Sequence, residues 1–428
     1  MLKKYKSFVK LLEGVAFDDN IDMILNEGGG YGHLLHPYED MSLTFTDFKK
    51  MADEFINASF TESSFKNIKT DGQNLLFSFI DGNIRFARNN GQVKNSGKTS
   101  MTIDEISKKF DGRGNIQLAF DSAARDLQKA VSSLKSSDVE KIFANGKKFV
   151  SVEVIFTQTE NVIPYGQDLL VFHGTLEYDD DGNVIKEDNT EGKLLSTLIE
   201  DANEAAQKTF YIRGPEEAVI KPLPNASSKL SYYNNKIDKI IKDNDLSNNS
   251  TVEDFLKAAW LKYLKSAVST TDALYDILLQ RFVNRVTSYS LVNIKTDDPF
   301  LAEWIKEFEK KDFLKKSKEI RMPLESIFLE LGADILQNIS SALLANPTKS
   351  NELLRAKIDN AISVINSTGN DLEKDKLGAE LNRMNIAGGL DKLNAVEGVT
   401  FKYKGKVYKW TGLFAAINQA LGILNFRK

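Results

Sequence analysis

The stretch "KNIKTDGQNLLFSF" (66–79) decides how the rest of the chain is read, because it sets a lysine, Lys69, against Asp71-Gly72 at the mouth of a strand. Two alternating apolar runs follow in "NLLFSFIDGNIRFARNNG" (74–91), joined at Asp81-Gly82, a dipeptide suited to a tight hairpin. Further strands are expected in "KKFVSVEVIF" (147–156) and "QDLLVFHGTLEYDDDGNVI" (167–185), the second turning at Asp181-Gly182. Between them a helical stretch opens at "TIDE", where Thr102 and Glu105 have capping-box spacing, and continues through Phe120, Ala123, Leu127, Val131 and Leu134 on one face. From about 226 to 390 the chain reads as helical. "TVEDFLKAAWLKYLKSAV" (251–268) is capped at Thr251, and "PLESIFLELGADILQNISSALLANP" is bounded by Pro323 and Pro347. Strand character returns in "VEGVTFKYKGKVYKWTG" (396–412), and "KPLPNASSKLSYYNN" (221–235) reads as a linker. The order strands, helices, strands predicts an α+β fold. Its expected parts are an N-terminal helical region over 1–60, a first domain segment over 61–195, a large helical insertion over 196–390, and completion of the domain by 391–428.

Composition narrows the function. The 428 residues are 42% hydrophobic and 27% charged, with a formal net charge of −4. There is no global basic field to coat nucleic acid, so such contact must come from a local patch. The absence of cysteine removes disulfides, thiol nucleophiles and cysteine-ligated zinc together. No apolar run approaches a membrane span, and the basic start "MLKKYKSFVKLLEGVAF" lacks the pattern of a signal peptide. The expectation is a protein of the cytoplasm, or of a host cytoplasm if viral, with no membrane partner.

Lys69 belongs to a Lys-x-Asp-Gly motif. A lysine amine attacks an α-phosphate only when unprotonated, which requires desolvation or neighbouring cations. Other segments supply fitting chemistry. Arg88 lies near the end of a strand adjacent to the lysine, and Glu153 sits in an apolar strand where an unpaired carboxylate is costly. Phe172 and His173 share a strand whose aromatic could stack on a base. Glu397-Gly398 precedes a strand with Lys406 and Lys409 close behind.

In this order the segments resemble the covalent nucleotidyltransferase superfamily of polynucleotide ligases and RNA capping enzymes, most closely ATP-dependent RNA ligases of the bacteriophage type. "KTDG" matches the nucleophile motif. "VEVIFTQTENVIPYGQDLLVFHG" is similar in layout to the family's downstream strand and turn, through Glu153, Asn161-Val162-Ile163 and Tyr165. "EGVT" matches the later acidic motif, and "KVYKWTG" the lysine-bearing strand. The resemblance implies a nucleotidyltransferase (adenylation) domain of antiparallel sheets and helices, ATP as co-substrate, and Mg²⁺ or Mn²⁺. It implies that Lys69 forms a lysyl–AMP adduct, that Asp71 and Gly72 shape the loop, and that Arg88 contacts ribose or the acceptor end. Glu153 would bind ribose or help place the lysine and metal, Phe172 would stack on adenine, and Glu397 would hold the metal. Lys409 with Lys406 would neutralise the triphosphate.

The chain departs from that pattern at Asn74, where DNA ligases commonly carry arginine, which favours RNA ends over DNA. Lys406 and Lys409 are spaced more widely than the family's lysine pair, and the helical insertion is unusually long. The readings left open are a DNA ligase or other adenylyltransferase, and a non-catalytic binding or structural module of a phage particle. Among other signals, "GQVKNSGKTS" (91–100) misses the spacing of a phosphate-binding P-loop by one residue, and reads instead as a basic loop where Lys94 and Lys98 could meet RNA. His33 and His36 lack a third zinc ligand, "GGGYGH" (28–33) reads as a hinge, and "EFEKKDFLKKSKEIR" (307–321) as a solvated helix face that is also the best candidate for a local phosphate-binding patch.

Overall fold

The computed structural model describes residues 34–60, 66–203, 209–287 and 296–425. The glycine run 28–33, His33 and most of the expected N-terminal helical region lie outside them. The described chain is a mixed α/β protein built on two sheets. One has three strands in the order β1-β8-β9, with β1 Lys66–Lys69, β8 Gly398–Tyr403 and β9 Lys406–Trp410, all antiparallel. The other contains β2 Gln73–Ile80, β3 Asn83–Ala87, β4 Lys148–Ile155, β5 Leu169–Tyr178 and β6 Val184–Asp188 in the order β3-β2-β4-β5-β6. A short strand, β7 Tyr211–Arg213, adds in parallel to β5. The chain crosses from the first sheet to the second at Thr70-Asp71-Gly72, so the lysine motif is the seam between them.

The β2–β3 hairpin turns at Asp81-Gly82 as expected, both residues having positive φ (51° and 79°). The alternation in β2 sends Leu75 and Phe77 into a core with the helices α2 Ile103–Lys109, α3 Asn115–Ser132 and α4 Ser136–Phe143. Phe120, Ala123, Leu127 and Val131 form the buried stripe of α3 that the spacing predicts. The Thr102–Glu105 capping box also forms, but it opens only the short α2. Gly112 and Gly114 take positive φ (72° and 59°) between α2 and α3, breaking what the periodicity alone reads as continuous.

The helical segment is not an appendage. Helix α1 Phe45–Asn57 and the three-stranded sheet share one core with the helices over 226–336, namely α6 Ala226–Asp243, α7 Val252–Ala267, α8 Asp272–Thr287, α9 Pro299–Lys311 and α10 Phe313–Leu336. Helix α5 is Asn189–Ala202, against β5. Trp410 of β9 is buried against Phe55, Phe328 and Phe401, and its indole N–H donates to the Phe328 carbonyl at 2.7 Å. A second shared core joins Ile155, Val162, Ile163 and Tyr165 to α11 Pro347–Thr368, α12 Asp371–Ile386 and α13 Phe414–Asn425.

Three sequence expectations change here. The linker is confined to the residues before Ala226, because "ASSKLSYYNN" already belongs to α6. Pro323 does not start a helix. It lies exposed inside α10, where the backbone hydrogen bond it removes faces water. The charge run 307–321 spans two helices and buries Phe308, Phe313, Ser317 and Ile320, while Glu307–Lys311 and Lys316–Glu319 pair on its wet side. Pro347 does open α11, capped by Asn346.

Candidate active site at the seam of the two sheets

Strand β1 ends at Lys69, which pairs with Gly398 at the start of β8. This register brings Glu397, the residue before β8, to the lysine: Lys69 Nζ lies 2.5 Å from Glu397 Oε1. The lysine side chain keeps 23% of its surface and the glutamate 9%, so the pair is sheltered yet reachable. Gly398 cannot be larger, since a Cβ there would stand 2.4 Å from the Trp410 carbonyl oxygen. Burial alone would lower the Lys69 pKa, but Glu397, with Glu153 and Asp71 behind it, raises it, so the amine rests as a cation.

Asp71 acts as the clamp of the seam. One carboxylate oxygen accepts from the amides of Val162 and Ile163, each at 2.7 Å, and its own amide donates to the Tyr165 hydroxyl at 2.8 Å. Asn161 adds a bond to the Gly72 carbonyl at 3.1 Å. The Asn161-Val162-Ile163 and Tyr165 positions singled out in the sequence therefore serve to dock this loop. Burial raises the Asp71 pKa against the pull of those amides. The protein itself leaves no room for a side chain at Gly72: a Cβ would meet Ile155 Cγ1 at 2.9 Å and the Val154 carbonyl at 3.0 Å. Asp71 and Gly72 shape the loop through these contacts.

Glu153 of β4 lies opposite Asn74 of β2 and Val171 of β5. Burial pushes its carboxyl up to about 8, with Lys69 opposing, so it is uncharged at neutral pH. Its Oε2 and the Asn74 Oδ1 are buried without a hydrogen-bond partner. An acceptor left in that state costs free energy until a donor arrives.

Phe172 is not placed as the sequence suggests. A bulge between the pairs Ser151–Gly174 and Val152–Phe172 leaves His173 as the extra residue of β5. The Phe172 ring is fully buried in the core with α3, its centroid 5.4 Å from that of Phe77, and cannot stack on a base. His173 takes the side of the lysine instead. Its Nε2 lies 3.4 Å from Thr70 Oγ1, and burial with the nearby Lys69 charge lowers its pKa to about 4, leaving it neutral.

Lys406 and Lys409 separate by strand alternation. Lys406 Nζ bonds Asp40 Oδ2 at 2.8 Å, an oxygen that also accepts from the Tyr408 hydroxyl, and this pair sits away from Lys69. Lys409 points the other way. Its charge interacts with Lys69, Glu397 and Glu39, and burial lowers its pKa. Of the two lysines, only Lys409 belongs to the cleft. Arg88, just after β3, lies over the rings of Phe110 and Phe120 at 5.5 and 5.4 Å, and its charge reaches Glu153.

The cleft thus gathers Lys69, Lys409 and Arg88 with Glu397, Glu153 and Asp71. Among the described residues no group of three or more side chains forms a ready cage for a metal ion. Mg²⁺ is commonly held by one or two carboxylates together with phosphate oxygens and water. Glu397 and the unpartnered oxygen of Glu153 fit that mode. A surface hollow lined by Phe79, Val131 and Asn145 contains none of these groups. No protein-family model matches the chain, and no curated protein matches its sequence.

Proposed function

We propose that this protein is an ATP-dependent RNA ligase with a nucleotidyltransferase fold, working through a lysyl–AMP adduct on Lys69. The observation that carries the reading is the Lys69–Glu397 pair at the junction of two sheets, with Lys409, Glu153 and Arg88 around it. Nothing in an ordinary structural ion pair calls for further cations and a buried acid with one oxygen lacking a hydrogen bond beside it.

The resting pair keeps Lys69 protonated and silent. When Glu397 releases the amine, Lys69 loses the partner that raised its pKa, while Lys409 remains beside it as a like charge. Both changes favour the neutral, nucleophilic form. Its nitrogen then bonds the α-phosphorus of ATP, the bond from that phosphorus to the β-phosphate oxygen breaks, and pyrophosphate departs. The amine proton leaves with solvent or the departing phosphate. Lys409 neutralises the leaving group, and Glu153, uncharged at neutral pH, offers hydrogen bonds to ribose hydroxyls. A bound Mg²⁺ or Mn²⁺, held by Glu397 and by Glu153 once it gives up its proton, would supply further neutralisation of phosphate charge. AMP passes next to a 5′-phosphate, and a 3′-hydroxyl displaces it to seal the strand.

The test is incubation with Mg²⁺ and α-labelled ATP, followed by denaturing electrophoresis. Wild type is expected to carry the label, and Lys69→Arg to carry none. Absence of label on folded protein free of pre-bound AMP overturns the mechanism and leaves a binding module.

A further inference from the structure

The stretch "KKDFLKKSKEIR" (310–321), running from the end of α9 into α10, carries six Lys and Arg against two Asp and Glu in a chain of net −4. Its apolar residues turn inward, Phe313 and Ile320 being buried with Leu324 and Ile327 of the same helix. The spacing of three residues between Lys315, Lys318 and Arg321 sets them along one outer side of α10. Lys315 and Lys318 are exposed and Arg321 is half-buried. None of these three side chains makes a hydrogen bond or an ion pair with a described residue. The acids around them have other places. Glu319 holds Lys316 at 2.5 Å, Glu325 holds Arg383 at 2.5 Å, and Asp312 stands at the N-terminus of α10, where the helix dipole favours it.

The row ends beside the cleft. The short 3-10 turn Pro37–Glu39 lies between β9 and α10: the Lys409 amide donates to the Leu35 carbonyl at 3.0 Å, and the Tyr38 ring centroid is 5.6 Å from that of Phe328, two helical turns on from Arg321. Arg321 acts by its charge on Tyr38 and Glu39, and Glu39 faces Lys409 as well. Glu39 itself accepts from the His36 amide at 2.7 Å. No large apolar side chain of α10 is exposed beside the row. A helix that lies on a bilayer needs such side chains, whereas a chain of phosphates asks only for regularly spaced cations.

We propose that Lys315, Lys318 and Arg321 form a track on α10 for the phosphate backbone of an RNA strand, whose end enters the cleft past Lys409. The proposal rests on the ligase reading for the choice of RNA and the direction of entry. It gives the helical segment a part in substrate binding as well as in the core.

The test measures fluorescence anisotropy of a short 5′-phosphorylated RNA carrying a 3′ fluorophore, titrated at several salt concentrations. The variants are Lys315→Gln/Lys318→Gln and Lys239→Gln/Lys242→Gln, the second pair being exposed lysines of the same spacing on α6, and each is checked by thermal melting. The α10 variant is expected to bind about tenfold more weakly and to lose about 1.4 from the log–log salt slope, at roughly 0.7 per phosphate contact on a single strand. The α6 variant is expected to bind as wild type does. Unchanged binding by the α10 variant, an equal loss in the α6 variant, or no RNA binding by wild type overturns the proposal. Sedimentation with phosphatidylserine vesicles supplies a further check: a wild type that binds vesicles but not RNA assigns the row to an anionic membrane and overturns the track. Adenylylation, scored on wild type alone, separates the two claims. RNA binding weakened only in the α10 variant supports the track even if no label forms, and a label with RNA binding unchanged in that variant overturns the track while the ligase reading stands.

Discussion

Glu153 holds a proton at neutral pH because its carboxyl is buried among groups that do not hydrogen-bond one of its oxygens. Its folded pKa, about 8, stands above the ordinary carboxyl value of 4.5. The folded state therefore keeps a proton that the unfolded chain releases, and stability falls as pH rises from about 4.5 towards 8. The slope for one such group is at most about 1.4 kcal/mol per pH unit. Glu153→Gln keeps the shape and removes the titration. Its melting temperature is expected to match wild type near pH 5 and to exceed it increasingly towards pH 8. Parallel melting curves across that range would contradict the assignment. Lys69, Glu153 and Glu397 could be found in the sequence because each breaks an apolar or turn pattern with a charge. His173 could not be separated from Phe172 in this way, because a one-residue bulge decides which of the two faces the cleft, and a bulge leaves no mark in a run such as "LLVFHG".

Strand parity governs the two lysines of β9. Residues three apart on a strand face opposite ways, so Lys406 and Lys409 cannot both serve one site. That inference was open to the sequence alone once 406–410 was recognised as a strand. Lys409→Ala is expected to lower the adenylylation rate by two orders of magnitude or so, the scale of losing one preorganised charge on a leaving group. Lys406→Ala removes a pair whose lysine is 60% exposed and should leave that rate unchanged, costing no more than about 1 kcal/mol of stability. Rapid-quench labelling and denaturant melts of both variants check the contrast. The hairpin at Asp81-Gly82 and the caps at Thr102 and Thr251 were legible for a related reason: a local hydrogen bond or backbone angle dictates the residue, without help from distant chain.

Across the whole molecule, what the sequence hid was partnership. Periodicity marks 226–390 as helical but cannot say that Phe328 will lie against Trp410, or that α10 will approach β9 closely enough for a Cβ on Gly332 to strike the indole at 2.6 Å. With cores held in common, the helices and the sheets are expected to unfold together. Phe328→Ala should cost about 3 kcal/mol or more, as large aromatic truncations do, and should move one shared transition seen by far-ultraviolet circular dichroism and by tryptophan fluorescence. Two separate transitions would show that the helical segment stands alone.

The pairing of β1 with β8 has a consequence in time. Lys69 is made early by the ribosome and Glu397 late, and the strand between them cannot form until nearly the whole intervening chain has emerged. A nascent chain therefore carries its lysine without the acid, the glycine contact or Lys409. The grouping of these side chains forms only when the late strands close over the early one.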